Sequence, residues 1–156
     1  MVIIEMENGG VIKIELDEKA APITAENFKN LVNEGFYDGL IFHRVISGFM
    51  IQGGDPLGTG IGGSDKNIKG EFASNGVNNP ISHVRGVVSM ARANDPNSAS
   101  SQFFIMHADA AYLDGQYAAF GKVTEGMEVV DEIAQSEVDC MDKPIKNNVM
   151  KKVYIA

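Results

Sequence analysis

The sequence predicts a mainly β protein, a closed or nearly closed antiparallel sheet whose open ends are covered by two α-helices. Three observations lead there. Period-two alternation of apolar and polar residues recurs along most of the chain, helical spacing appears in two stretches, and no repeat or linker divides the 156 residues. A chain of this length buries roughly 70% of its unfolded surface. Residues 1–156 are therefore expected to form a single domain.

The elements follow in order. Val2, Ile4 and Met6 alternate, Asn8-Gly9-Gly10 is a strong turn signal, and Ile12, Ile14 and Leu16 alternate against Lys13 and Glu15. That pattern is a hairpin. In "APITAENFKNLVNEGF" (21–36) the spacing becomes helical: Ala25, Phe28, Leu31 and Val32 share a face, Pro22 stands near the start and Gly35 is a stop. Strand-like segments follow at 41–46, 49–53, 86–91, 102–107 and 118–123. Residues 56–80 are rich in Gly, Asn, Ser and Lys, and a loop of that length is functional or carries short strands. A second helix is expected at about 126–135, where Met127, Val130 and Ile133 recur, with Thr124 or Glu125 as its cap. "NNVMKKVYIA" (147–156) reads as a last strand.

Composition narrows the function. A hydrophobic content of 44% and a charged content of 22% are those of an ordinary globular protein. A net charge of −8 argues against nucleic acid and anionic membranes as partners. The one cysteine, Cys140, excludes an intramolecular disulfide and points to a reducing compartment. The opening "MVIIEMENGG" lacks a basic stretch and is interrupted by Glu5, so neither a signal peptide nor a membrane span is expected there, and a cytoplasmic location is.

The stretch "FHRVISGFMIQGGD" (42–55) places an arginine among apolar residues. Alternation puts Phe42, Arg44 and Ile46 on one face and His43 and Val45 on the other; Met50 and Gln52 share a face, as do Gln102, Phe104 and Met106 of "SSQFFIMH" (100–107). If these faces converge, they form an apolar pocket with a guanidinium at its rim, steadied by side-chain amides. Arginine suits that place, being permanently charged and offering a rigid fork of donors.

With "GVVSMARA" (86–93), "YLDGQYAAFGKV" (112–123), "GMEVVDEI" (126–133) and "TAENFKNL" (24–31), these motifs resemble the cyclophilin family of peptidyl-prolyl cis–trans isomerases over nearly the whole chain. The resemblance implies an eight-stranded antiparallel barrel capped by two helices, with an active groove on its outer face. It implies that Arg44 is catalytic, that Gln52 steadies it and contacts substrate, and that Phe49, Met50, Phe104 and Leu113 wall the proline pocket. Ala91, Arg92 and Gln102 match positions lining the adjoining peptide groove. It also implies proline-containing peptides and folding chains as partners, and no cofactor or metal; a monomer is expected. Three positions depart from the family. Tyr112 replaces a rim tryptophan, Tyr117 a histidine, and Arg92 a frequent asparagine whose contact runs through the backbone. Tyr112 implies weakened binding of the cyclic peptide cyclosporin.

Other patterns carry less. Gly58-Thr59-Gly60-Ile61-Gly62-Gly63 contains G-x-G-x-x-G, but Pro56 precedes it and no helix pattern follows, so a loop is expected rather than a dinucleotide site. His83 and His107 lack metal-ligand spacing, and "VDCMDK" (138–143) reads as a solvated turn with Cys140 a bystander. The competing functions are a proline-peptide binding module or holdase and a nucleotide-dependent enzyme. Arg44 together with Gln52 and Phe104 favours the isomerase, because binding alone needs no fixed donor.

Overall fold

Inward-facing apolar residues on alternate positions curl the sheet around a single interior. The computed structural model describes residues 1–156. Its strands are β1 (Val2–Met6), β2 (Val11–Leu16), β3 (Arg44–Ile46), β4 (Met50–Gly53), β5 (Val87–Met90), β6 (Phe103–Met106), β7 (Ala119–Glu125) and β8 (Met150–Ile155). They form one sheet in the order β3-β4-β6-β5-β7-β2-β1-β8, every pair antiparallel. The two edge strands meet just outside their regular spans. Ile41 bridges Val149, the Phe42 N–H donates to the Asn148 carbonyl (3.1 Å), and the Met150 N–H to that of Leu40 (2.8 Å). The predicted barrel closes there.

The predicted hairpin has Ile4 opposite Ile12, and both fill the interior. Helix α1 (Pro22–Asn33) turns Ala25, Phe28, Leu31 and Val32 inward, and the Phe28 ring lies 5.0–5.3 Å from those of Tyr37, Phe103 and Phe120. α1 has no cap of its own at Ala21. Glu71 supplies one from 47 residues away, accepting from the Thr24 N–H at 2.6 Å and its hydroxyl at 2.7 Å. A carboxylate there also meets the positive end of the helix dipole.

Helix α2 (Met127–Ala134) corrects one expectation. Thr124 and Glu125 are the end of β7, and the N-cap is Gly126, at φ 97°. A Cβ there would stand 2.2 Å from the Val11 carbonyl oxygen, so glycine is required by space as well as conformation. The predicted strand at 41–46 is regular only from Arg44. Residues 56–80 hold a short 3₁₀ turn (Ala73–Asn75) and a bridge between Ile68 and Ala99. "VDCMDK" is a turn around Asp139, whose carboxylate accepts from the N–H groups of Met141 and Lys143, with Cys140 exposed.

Candidate active site

Strand alternation sorts the motif residues to two sides of the sheet. Val45, Ile51, Phe103 and Ile105 point into the barrel, while Met50, Phe104 and Met106 join a smaller apolar cluster on the outer face with Leu113. One expectation fails here: Phe42 does not share a face with Arg44. Phe42 and Val45 are both interior, because the chain is irregular at 42–43 where it closes the barrel and period two begins only at Arg44.

Register then aligns the polar groups. Arg44 pairs with Gln52, Gln52 with Phe104, and Phe104 with Ser89, giving a row across β3, β4, β6 and β5. Adjacent members of such a row stand about 5 Å apart. Arg44, Phe49, Met50, Gln52, Ala91, Arg92, Phe104, Leu113 and Tyr117 line one cleft of about 130 Å³. An adjoining trough of about 490 Å³ runs from Gln52 past Gln102 to the 60–64 loop, with Gln52, Ala91 and Arg92 shared between the two. Tyr112 lies outside the cleft lining. It is 72% exposed at the rim, its ring stacked on Phe49 at 6.1 Å and 29°.

Hydrogen bonds give the row a direction. Gln102 Nε2 donates to the carbonyls of Gly60 (3.0 Å) and Gly62 (2.8 Å), which can only accept. Its Oε1 is thereby left to accept from Gln52 Nε2 at 2.9 Å, which in turn aims Gln52 Oε1 at Arg44 Nη1, 3.4 Å away. The guanidinium remains exposed, and this amide chain orients it.

The glycine loop is built from inside. Asp55 is 1% exposed, and its carboxylate accepts from the N–H groups of Leu57 (2.8 Å), Thr59 (3.0 Å), Gly60 (2.6 Å) and Gly62 (3.2 Å). These are the donors that a phosphate cradle would need, and they are turned onto the protein's own carboxylate. Burial opposes ionisation of Asp55, but the four N–H bonds outweigh it and hold the carboxyl below its ordinary range.

The walls are braced from behind. Arg92 is tied down on the protein itself: its guanidinium lies over the rings of Phe72 (5.0 Å) and Tyr117 (4.9 Å) and donates to the carbonyls of Ala93, Asn94 and Gln116. Tyr117 in turn meets Phe104 edge-on at 5.8 Å. His83 also stacks on Phe104 (6.1 Å), its Nδ1 against Asp114 Oδ1 and its Nε2 against Ser89 Oγ, both at 2.9 Å. Burial pushes the His83 imidazole below its ordinary pKa despite Asp114. Sequence reasoning missed Asp55, His83 and Asp114 as supports. The signals available were an aspartate ending "IQGGD" and a histidine just before a strand, and neither reveals a distant partner.

A family model for cyclophilin type peptidyl-prolyl cis–trans isomerases (Pro_isomerase) matches residues 1–155. The chain belongs to this family. Its activity is peptidyl-prolyl cis–trans isomerisation, and its eight-stranded barrel with two helices is the cyclophilin fold. Among curated relatives, this cyclophilin is 47% identical to peptidyl-prolyl cis-trans isomerase B of Bacillus subtilis over 133 residues, covering 85% of this chain and 90% of the relative. It is 44% identical to the isomerase ppi1 of Schizosaccharomyces pombe over 148 residues, 94% of each chain. A crystal structure of a Cryptosporidium parvum cyclophilin in the presence of the dipeptide Ala-Pro superposes with a TM-score of 0.90 at 36% identity, covering 99% of this chain and 98% of that one.

Proposed function

We propose that Arg44 is the catalytic donor of this isomerase and that the Phe49/Met50/Phe104/Leu113 cleft grips the prolyl ring. The carrying observation is a guanidinium set by the Gln52–Gln102 chain at the edge of an apolar cleft of about 130 Å³. Rotation about an X-Pro bond meets a barrier of about 18–20 kcal/mol, because the amide loses its resonance at the top. There the prolyl nitrogen is pyramidal and its lone pair localised. A donor aimed at that nitrogen binds the twisted state better than either planar one, which is the condition for acceleration. One such donor is worth about 3–4 kcal/mol. A millionfold acceleration needs roughly 8 kcal/mol; the rest comes from orienting the chain that swings about the held ring toward the twisted state.

The trough beside Gln102, Ala91 and Arg92 takes the residues before proline in this reading. Gln52 contacts substrate as well as steadying Arg44. The substrates are proline-containing peptides and folding chains. The Ala-Pro dipeptide present with the Cryptosporidium parvum cyclophilin supports that class. The enzyme is read as one domain acting as a monomer in the cytoplasm, consistent with its charge of −8 and single exposed cysteine.

The test is Arg44→Ala in a protease-coupled assay on a short X-Pro peptide. It is expected to lower kcat/KM by about a hundredfold, near 3 kcal/mol, with little change in thermal stability. Arg44→Lys is expected to be poor as well, since a point charge does not reproduce the fork. Near-normal turnover in Arg44→Ala would remove the assignment.

A further inference from the structure

One histidine near the cleft has no part in the chemistry above. His107 follows β6, its side chain 19% exposed, and it holds the β3–β4 turn by both main chain and side chain. Its N–H donates to the Phe49 carbonyl at 2.9 Å, joined on the same oxygen by the Ala108 N–H at 3.3 Å. Its Nδ1 accepts from the Gly48 N–H at 2.8 Å. A backbone N–H can only donate, so Nδ1 carries no proton and Nε2 does. That Nε2–H faces Asp131 Oδ1 of α2, 3.2 Å away. Asp131 is itself fixed by two 2.7 Å bonds from Arg85, which also donates to the His107 carbonyl at 3.0 Å. The imidazole is thus oriented at one nitrogen so that the other can hold the turn.

The turn needs holding. Its Phe49 N–H closes onto the Ile46 carbonyl at 3.0 Å, and Gly48 has φ 77°, the conformation that the third residue of a type II turn requires. No side chain lies within 4 Å of where a Gly48 Cβ would be, so packing on that side does not fix the turn. The next residue is Phe49, half-buried in the cleft lining and stacked on Tyr112.

We infer that His107 is a positioning residue for the proline cleft: its neutral imidazole, tethered to Asp131, fixes the turn that presents Phe49. The inference rests on the reading of Phe49 as a cleft wall. Phe49 grips the ring in planar and twisted states alike, so loosening it raises KM and leaves kcat nearly unchanged.

Two isosteric replacements separate this role from a merely structural one. His107→Asn places a carboxamide oxygen near the position of Nδ1 and keeps an acceptor for Gly48. His107→Gln places its amide near Nε2, keeping the Asp131 contact but losing the Gly48 acceptor. With a short X-Pro peptide, His107→Asn is expected within about twofold of the parent KM, and His107→Gln to raise KM about fivefold, as for one lost neutral hydrogen bond. Both should keep kcat within about twofold of the parent. Phe49→Ala should raise KM, and adding His107→Gln to it should change nothing further. Equal KM values for the Asn and Gln variants, or an impaired Asn variant beside a normal Gln variant, would overturn the inference. A normal KM in Phe49→Ala would instead overturn the wall reading, and the role of His107 with it. The imidazole ¹⁵N spectrum of the unmodified protein provides a readout that needs no variant. An Nε2–H tautomer is expected, and an Nδ1–H tautomer would overturn the assignment.

Discussion

Replacing Asp55 by asparagine tests whether the glycine loop sets the arginine. The carboxylate is buried and accepts four backbone N–H bonds, that of Leu57 on Oδ1 and those of Thr59, Gly60 and Gly62 on Oδ2. An amide has one acceptor oxygen. If that oxygen faces the three N–H groups, the amino group faces the Leu57 N–H, donor against donor. One buried donor left unpaired costs about 1–3 kcal/mol, and the other three bonds fall from the charged range of about 1.5–3 to the neutral range of about 0.5–1.5. Bonds to one shared oxygen are not independent. Asparagine also escapes the desolvation that opposes ionisation of Asp55. The net loss is then about 2–4 kcal/mol, concentrated in the loop. The carbonyls of Gly60 and Gly62 are the groups that orient Gln102, so Gln52 and Arg44 lose their fixed geometry with them. Misplacing a catalytic group by about 1 Å costs on the order of a hundredfold; through two intervening amides we expect a fall of about tenfold or more in kcat/KM. The assay is isomerisation of a short X-Pro peptide, with hydrogen exchange of the 57–62 amides as the independent readout. Fast exchange in that loop with unchanged kcat/KM would refute the coupling of loop to arginine.

Two further outcomes are expected. Tyr112 offers its ring and hydroxyl where a tryptophan would offer a larger ring and an indole N–H, and it sits exposed on Phe49. Ring area and the lost donor are each worth about 0.5–1.5 kcal/mol, so Tyr112→Trp should tighten cyclosporin inhibition by roughly ten- to a hundredfold while turnover of short peptides changes little; no gain on titration would show that the rim residue does not limit binding. Stability should fall on mild acidification. Burial lowers the pKa of His43, outweighing Asp55, and of His83, outweighing Asp114; His43 has neither ring nitrogen hydrogen-bonded. A folded-state pKa below the unfolded value contributes stability that is fully present above about pH 6.5 and is lost as pH falls through the folded value. Asp55, also lowered, adds a second loss of the same sign, beginning below about pH 4. Urea midpoints at pH 7.5 and 5 measure the first loss, and equal midpoints would contradict it.

Local pattern in the sequence determined the elements and most of the outer face. The hairpin at 2–16, both helices, and the alternation that sends Met50, Gln52, Phe104 and Met106 one way and Ile51, Phe103 and Ile105 the other were legible because each depends on residues one to four places apart. The motif set also carried the family and its reaction. Only the tertiary structure decided what those residues touch. Phe42 turned out to be interior because barrel closure at Ile41 and Val149 interrupts the strand period just before Arg44. The cap of α1 comes from Glu71, the Gln102 amide is aimed by carbonyls about 40 residues away, and the Arg92 guanidinium lies over Phe72 and Tyr117. The glycine motif was legible as a loop from its flanks, but only the fold shows that Asp55 gathers the N–H groups of Thr59, Gly60 and Gly62 inward. Propensity and periodicity report which way a side chain points. Hydrogen-bond partners are chosen by strand register and loop packing, which bring together groups that the chain itself keeps apart.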